Sequence, residues 1–390
     1  MVVSAYTMGL GVIRSLGRRG VPVIAVRYDR QDFGHTSRFV TRTLDVPDPV
    51  ACEESFVASL LDLGRELGDA VLIPASDASL AAVARAWDRL SENYRVACPP
   101  WDRARLFLEK RHTYSLAADA GIPVPATHVV STEEQLVSMA DELPYPVLVK
   151  PVQSHLFVRR FGVKMLEVTD RAELIDTYRT VSDGSLELMV QEFITGPPSA
   201  GANYNCFVVD GEPVAEFTAR KVRNNPPTLG SPRVVVSEHL PEVVELGRRV
   251  MASLGHEGFA CTEFKRNDKN GEWTLMEVNG RHNLSSALAV EAGIDFPWVD
   301  YRYHERGELP GPADFRDGIY WIDLKRDLAA SVRFRKVERF ALRDYLRPYV
   351  RRRVFGDWDL RDPRPLLSRA ALTITSLIRP RAQPVADGYQ

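Results

Sequence analysis

Short apolar runs alternate with helix-period stretches through the first hundred residues. VVS at 2–4 precedes a helical pattern over roughly 9–19 that ends at Gly20, and the apolar run VPVIAV follows at 21–26. Strand, helix and strand in that order form a βαβ unit, which implies a parallel sheet with helices over its faces. The alternation continues with a helix over about 53–67, the strand AVLIPA at 70–75, a helix from Ser76 to about Asn93, and VACPP at 96–100. The N-terminal region therefore reads as a small doubly wound α/β domain. Its first strand is short, so either the native chain starts upstream of Met1 or the domain tolerates a clipped edge.

A charged helix over 102–120, closed by Gly121 and Pro123, marks a change of character. From Pro146 onward the apolar runs PVLVK, ELMVQEF, YNCFVVDGEPVAEFTARKV and ACTEFKRNDKNGEWTLMEV predict strands, the last two broken by Asp-Gly and Asn-Gly. Those dipeptides are the strongest short hairpin signal. With helices over 170–182 and 240–254, this part is α+β with antiparallel pairing. Beyond Gly311 the chain turns strongly basic, with Arg333, Arg335, Lys336, Arg339, Arg343, Arg347 and the run Arg351, Arg352, Arg353, and helices continue. Residues 365–381 leave two readings open: an amphipathic helix on anionic lipid or a partner, or a packed C-terminal helix with solvated arginines, the commoner arrangement.

Composition narrows the function classes. At 390 residues and 45% hydrophobic content, the chain can bury a core for two or three domains. Fifty Lys and Arg against 52 Asp and Glu give a net charge of -2, which removes the overall basic field of a dedicated nucleic-acid binder. No uninterrupted apolar run approaches the roughly 18 residues of a membrane span, and the opening MVVSAYTMGLG lacks a secretory pattern, so the expected location is the cytoplasm. Cys52, Cys98, Cys206 and Cys261 show no C-x-x-C spacing and read as reduced structural thiols.

The chemistry concentrates in the hairpin over 260–278. Pairing its strands symmetrically about Asn270 sets Glu263 opposite Glu277, with Cβ atoms roughly 5 Å apart, and two like charges so placed ask for a cation. Asn279 and Arg281 follow at two-residue steps and share the face. Glu, Glu and Asn offer only oxygen ligands, which suit Mg²⁺ or Mn²⁺ rather than Zn²⁺. Magnesium prefers substrate phosphates to an all-protein cage, so the set suggests a nucleoside triphosphate. The alternative is an exposed hairpin face whose acids pair with neighbouring lysines. Lys150, ending an apolar strand, is either a phosphate ligand or a surface lysine. Asp77 follows a strand at the sheet end where open α/β folds bind ligands, and it or Ser76 equally suits a helix cap. Gly9 and Gly11 are a weak phosphate signal.

In their order and spacing, KP at 150–151, QEFITG at 191–196, EF at 263–264 and MEVNGR at 276–281 resemble the ATP-grasp superfamily, and the lead-in KRHTYSLAADAGIPVPAT fits it. The similarity covers about residues 1–310 and is greatest to carboxylate-amine ligases, including the D-aspartate ligase-like group. It implies an ATP-grasp fold: a doubly wound pre-ATP-grasp domain over 1–101, an ATP-grasp domain over 102–310 with a lid subdomain at about 123–192 and an antiparallel-sheet C-terminal subdomain, and a basic, mainly helical extension over 311–390. By the same resemblance, Lys110 and Lys150 hold the phosphates of ATP, Lys164 also reaches them, and Gln191, Glu192, Phe193 and Ile194 receive adenine. Glu263, Glu277 and Asn279 hold one or two Mg²⁺ ions, Arg281 stabilises the reacting carboxylate or acyl phosphate, and Lys221 lies near the γ-phosphate. Asp77, His282, Ser285 and Ser286 would line the substrate pocket, although His282 fits a structural hydrogen bond better than a base.

One departure from the family concerns the loop after Lys150, where PVQSHLFVRRFGVK carries only Gly162 in place of a glycine-rich cover and instead offers Ser154, His155, Arg159 and Arg160. The implied activity is ADP-forming ligation: a carboxylate attacks the γ-phosphorus and the acyl phosphate passes to an amine, with the loop at 153–163 excluding water. A phosphotransferase on the same fold and a non-catalytic ATP-binding regulator remain alternatives. The expected partners are a small carboxylate and an amine. Homodimerisation, common among relatives, and a membrane-surface or protein contact through the basic C-terminal region are the further expectations.

Overall fold

The structure is a computed structural model that describes residues 1–151, 165–182, 188–338 and 340–378. Its first sheet is parallel and five-stranded, in the order β3-β2-β1-β4-β5, from β1 (Val2–Val3), β2 (Val23–Arg27), β3 (Val40–Asp45), β4 (Ala70–Pro74) and β5 (Tyr94–Val96). Helices α1 (Thr7–Arg18), α2 (Glu53–Leu67), α3 (Asp77–Arg85) and α4 (Trp87–Ser91) complete the doubly wound unit. Chain order reverses between β1 and β4, whose carboxyl ends at Ser4 and Ser76 form the crevice where such sheets take ligands. The edge strand β3 was not foreseen, because VTRTLD is mostly polar and exposed and gives no apolar alternation.

Two helices expected to be continuous are broken. The stretch after Ser76 divides at Ala86, and the stretch 102–120 divides at Glu109 into α5 (Trp101–Leu108) and α6 (Lys110–Asp119). Glu109 is extended, which leaves Lys110 as the first residue of α6. The antiparallel second sheet runs β6-β9-β7-β8, from β6 (Thr127–Val130), β7 (Val147–Pro151), β8 (Leu166–Val168) and β9 (Leu188–Glu192). Helices α7 (Glu133–Ala140) and α8 (Arg171–Val181) bury Leu136, Leu174 and Tyr178 against Val147, Val149 and Val190.

The third sheet has seven strands in the order β14-β13-β10-β11-β12-β15-β16. These are β10 (Gly201–Val209), β11 (Glu212–Asn225), β12 (Ser231–Ser237), β13 (Gly258–Arg266), β14 (Trp273–Asn279), β15 (Tyr320–Ile322) and β16 (Arg353–Phe355). Asp210 and Gly211 turn the β10–β11 hairpin with positive φ at both positions, as the Asp-Gly signal predicts. One face buries Tyr204, Phe264 and Leu275 with α9 (Pro241–Leu254), whose Gly247 admits the Tyr204 ring. The other buries Phe217, Phe259 and Cys261 beneath α10 (Ser286–Ala292) and α11 (Phe296–Arg306). Those helices also meet the first domain: Gly11 of α1 faces Ser286, where an added Cβ would lie 2.6 Å from the hydroxyl, and Ser15 donates to Asp295 at 2.5 Å. Close packing thus accounts for Gly11, and Gly9 likewise abuts the Ser4 carbonyl.

The region beyond Gly311 is mainly helical and adds two short strands to the large sheet. It holds α12 (Leu324–Arg333), α13 (Leu342–Val350) and α14 (Arg364–Ile378), and the strands are β15 and β16. Buried ions tie it down: Asp327 pairs with Arg223 at 2.7 Å and Arg233 at 2.9 Å, and Asp362 pairs with Arg14 of α1 at 3.0 Å. Three-residue strands and single ion-pairing residues carry too little periodicity to be seen in sequence. Among the described residues no helix is long and apolar enough to cross a membrane.

Candidate functional site

The site is organised by the β13–β14 hairpin. Its register pairs Glu263 with Glu277 and Cys261 with Asn279, which symmetry about Asn270 predicts. Toward the turn the ladder slips by one, so Phe264 pairs with Leu275 and Met276 becomes a bulged residue. The bulge has a structural use. The Met276 carbonyl accepts a hydrogen bond from the Tyr114 hydroxyl at 2.7 Å, and the Leu275 amide donates to the Pro123 carbonyl at 2.8 Å. Helix α6 is thereby fixed against β14, and its first residue reaches the site.

Each opposed carboxylate has its own cation. Lys110 Nζ lies 3.0 Å from Glu277, and Lys221 Nζ, on β11, lies 2.5 Å from Glu263. The Glu277 charge holds the Lys110 ammonium above its ordinary pKa against the opposing effect of burial. At Lys221 burial acts downward and is outweighed by Glu263, so its pKa also ends above the ordinary value. Asn279 ends β14 and is 6% exposed. Asn203, across from Glu263 on β10, is buried with a carbonyl oxygen that finds no hydrogen-bond partner among the described residues.

Lys150 is the contrasting case. It ends the apolar run of β7, is 6% exposed, and donates to Gln191 Oε1 of β9 at 2.5 Å while lying 5.9 Å from the Tyr114 ring centroid. Burial, and then the neighbouring charge of Lys110, push its pKa well down. A buried amine whose charged form is disfavoured gains most from an arriving anion. Gln191 is in turn fixed by donating to Thr127 Oγ1 at 2.7 Å. The adjoining segment is also pinned: the Glu192 amide donates to the Ala126 carbonyl at 2.8 Å, and Phe193 and Ile194 are buried. Lys265 stands 5.2 Å from the Phe193 ring centroid, its pKa lowered to about 8 by burial and then by Lys221.

Arg281 makes a bidentate pair with Asp77, Nε at 2.7 Å and Nη2 at 2.9 Å, joining the hairpin to the ligand crevice of the first domain. Ser76, not Asp77, caps α3, through a reciprocal pair of hydrogen bonds with Ser79. Asp77 is free of the capping role because Ser76 fills it. The other expected pocket residues lie apart from the carboxylates. His282 is 1% exposed, stacks on Phe259 and bonds Asp300 through Nε2 at 3.0 Å, so the structure gives it a core hydrogen bond. Ser285 immediately precedes α10, and Ser286 packs on α1; both are buried. Lys164, Ser154, His155, Arg159, Arg160, Gly162 and the expected cover loop at 153–163 lie outside the described residues.

Sequence reasoning overlooked Tyr114, Lys265 and Asn203. Tyr114 follows Lys110 by four positions and so shares its side of α6, a signal available in sequence. Lys265 follows Glu263 by two and shares its face of β13. Nothing in sequence places Asn203 beside Glu263, which depends on strand order.

The donor set of Glu263, Glu277, Asn279 and the unpartnered Asn203 oxygen is all oxygen, which fits Mg²⁺ or Mn²⁺. Among the described residues no three His, Cys, Asp or Glu side chains converge as a metal cage. An ion there would draw further ligands from substrate phosphate and water, as magnesium commonly does.

Residues 101–196 match the model of the ATP-grasp domain. The chain is 26% identical over 204 residues to the D-alanine–D-alanine ligase of Pseudomonas fluorescens, covering 49% of this chain and 60% of that protein. It is 26% identical over 267 residues to the D-aspartate ligase of Enterococcus faecium, covering 64% and 62%. The chain thus spans about three fifths of the length of these relatives. Among solved structures, the L-amino acid ligase from Bacillus licheniformis superposes with a TM-score of 0.61 at 19% identity, over 78% of this chain and 73% of that one. Biotin carboxylase from Campylobacter jejuni superposes with a TM-score of 0.63 at 16% identity, over 82% and 73%. At such identities the superpositions speak to the fold alone, and they agree with the matched domain: residues 101–196 carry an ATP-grasp domain, and the chain has the ATP-grasp fold.

Proposed function

We propose that the protein is an ATP-dependent, ADP-forming ligase that activates the carboxylate of an amino acid or similar small metabolite and joins it to an amine. The observation that carries this reading is the buried Lys150, held by the Gln191 amide, together with two opposed carboxylates that are each matched to a lysine. Cations and anions so interleaved suit a metal-bound polyphosphate. Its relatives named above, ligases of D-alanine and D-aspartate, support an amino-acid substrate class.

In this reading Lys110 and Lys150 hold phosphate oxygens, and the segment Gln191, Glu192, Phe193, Ile194 receives the adenine. Glu263, Glu277 and Asn279 would hold one or two Mg²⁺ ions, with Mn²⁺ able to substitute. Bound there, the metal would neutralise charge on the transferring phosphoryl group. Lys221, paired with Glu263, would turn toward the γ-phosphate once the carboxylate has another cation. Arg281, oriented by Asp77, stabilises the carboxylate and then the acyl phosphate by its planar fork. The substrate carboxylate oxygen bonds to the γ-phosphorus as the bond to ADP breaks. The amine nitrogen then bonds to the acyl carbon, phosphate leaves with the bonding pair, and the nitrogen loses a proton.

The test is ADP release by the Glu277→Gln variant. Loss of the charge that organises Lys110 and the metal set is expected to lower turnover at least about a hundredfold while the folded structure is kept. Wild-type turnover in that variant would overturn the assignment.

A further inference from the structure

The C-terminal region has its polarity reversed relative to an ordinary surface helix. In α12 the side toward the protein buries Arg326 and Asp327, while Leu328 and Val332, four residues apart, are 51% and 74% exposed. In α13 the protein side holds Pro348 with Tyr345 and Tyr349 half-buried, while Leu342, Leu346 and Val350, again at steps of four, are 71%, 42% and 75% exposed. Val337 and Phe340 in the connection are also exposed. Of the thirteen large hydrophobic side chains exposed among the described residues, ten lie between Leu328 and Leu367. Solvated apolar ridges of this kind mark a contact surface.

The same segment concentrates an excess of positive charge. From Leu324 to Arg353 there are eleven Lys and Arg against three Asp and Glu, in a chain whose net charge is -2. Two of those three acids, Asp327 and Glu338, are consumed by buried Arg223 and Arg233. Arg343 and Arg347 run beside the Leu342–Leu346–Val350 ridge and, like Arg335 and Lys336, are exposed.

We propose that this face docks the protein on an anionic lipid bilayer, the aliphatic ridge entering the headgroup boundary and the arginines pairing with lipid phosphates. Ridge and charge together are what such a surface requires. A second copy of the chain would bring like charges together. Nucleic acid would offer phosphates but no place for Leu and Val, since single strands are held by aromatic stacking.

The test is co-sedimentation of the full chain with vesicles of phosphatidylglycerol and phosphatidylethanolamine, against neutral phosphatidylcholine vesicles. Binding to the anionic vesicles alone is expected, weakened by salt. Leu346→Asp with Val350→Asp, and separately Arg343→Glu with Arg347→Glu, should each lower the partition coefficient at least about tenfold with an unchanged thermal midpoint. Equal sedimentation with neutral vesicles, or none with anionic ones at low salt, would overturn the proposal. So would salt-sensitive binding that ignores the two Asp substitutions and is matched by an oligonucleotide, which would indicate a polyanion partner. Concentration-dependent dimers lost in Leu346→Asp, without vesicle binding, would assign the face to a second copy instead.

Discussion

Lys110 and Lys221 each rest on a carboxylate, whereas among the described residues Lys150 is hydrogen-bonded to the neutral Gln191 amide. Burial, and then the charge of Lys110, hold the Lys150 pKa well down, and a bound phosphate would raise it. The sign follows: where part of the Lys150 population is neutral, nucleotide binding takes up a proton. Calorimetry across a pH series in two buffers of different ionisation enthalpy should show that uptake, and Lys150→Met should remove its share and weaken ATP binding at least about tenfold. Zero proton exchange in the wild type would contradict the assignment. At this scale the residue types were legible, since strand alternation put Glu263, Glu277 and Asn279 on one face. The pairings were not, because alternation gives a face and says nothing about which helix end arrives there. The cation that the opposed carboxylates ask for is supplied, in the structure, by two lysines from other elements.

Elements place these residues through local exceptions to regularity. The break at Glu109 and the bulge at Met276 together bring α6 to β14, and neither has a sequence signature, because a one-residue slip is decided by what packs alongside. Gly280, between Asn279 and Arg281, has a packing reason: a Cβ there would overlap the Phe107 ring of α5. Gly280→Val should displace the strand end, costing about 1–3 kcal/mol in stability by urea denaturation and proportionately more in turnover. Unchanged kinetics would show that the strand end does not position the site. His256, after α9, is 3% exposed, with Nε2 bonded to the Phe259 carbonyl at 3.1 Å. Burial lowers its pKa to about 4. Below about pH 6.5 the unfolded chain binds a proton that the folded chain refuses, so this group costs stability as pH falls toward 4, by up to about 1.4 kcal/mol per unit. Buried Asp32, its pKa raised to about 7, acts in the opposite sense, so the difference between wild type and His256→Gln in urea midpoint against pH isolates the histidine. That difference should vanish below about pH 4 in slope; a flat difference throughout would contradict the burial argument.

At the scale of the molecule, three sheets converge on one site, and the C-terminal region joins the first to the third. Arg14 reaches Asp362, which also accepts from the Ser37 hydroxyl at 2.8 Å and the Arg38 amide at 2.9 Å. Asp362→Ala would leave the Arg14 charge buried without its partner and should lower stability by about 3 kcal/mol, read as a fall in thermal midpoint. An unchanged midpoint would mean that the strap does not hold the first domain. The doubly wound unit and the hairpins were legible because their apolar runs are regular; the strap was not, because ion pairs hundreds of residues apart leave no local pattern. The fold itself is shared by enzymes of different chemistry, so the activity is decided at the site. The most direct test is product analysis with purified protein, Mg-ATP and pooled amino-acid carboxylates and amines. The account predicts ADP and phosphate in equal amounts, dependent on both substrates, with a new amide mass. AMP with pyrophosphate, or a phosphorylated product formed without any need for an amine, would contradict it.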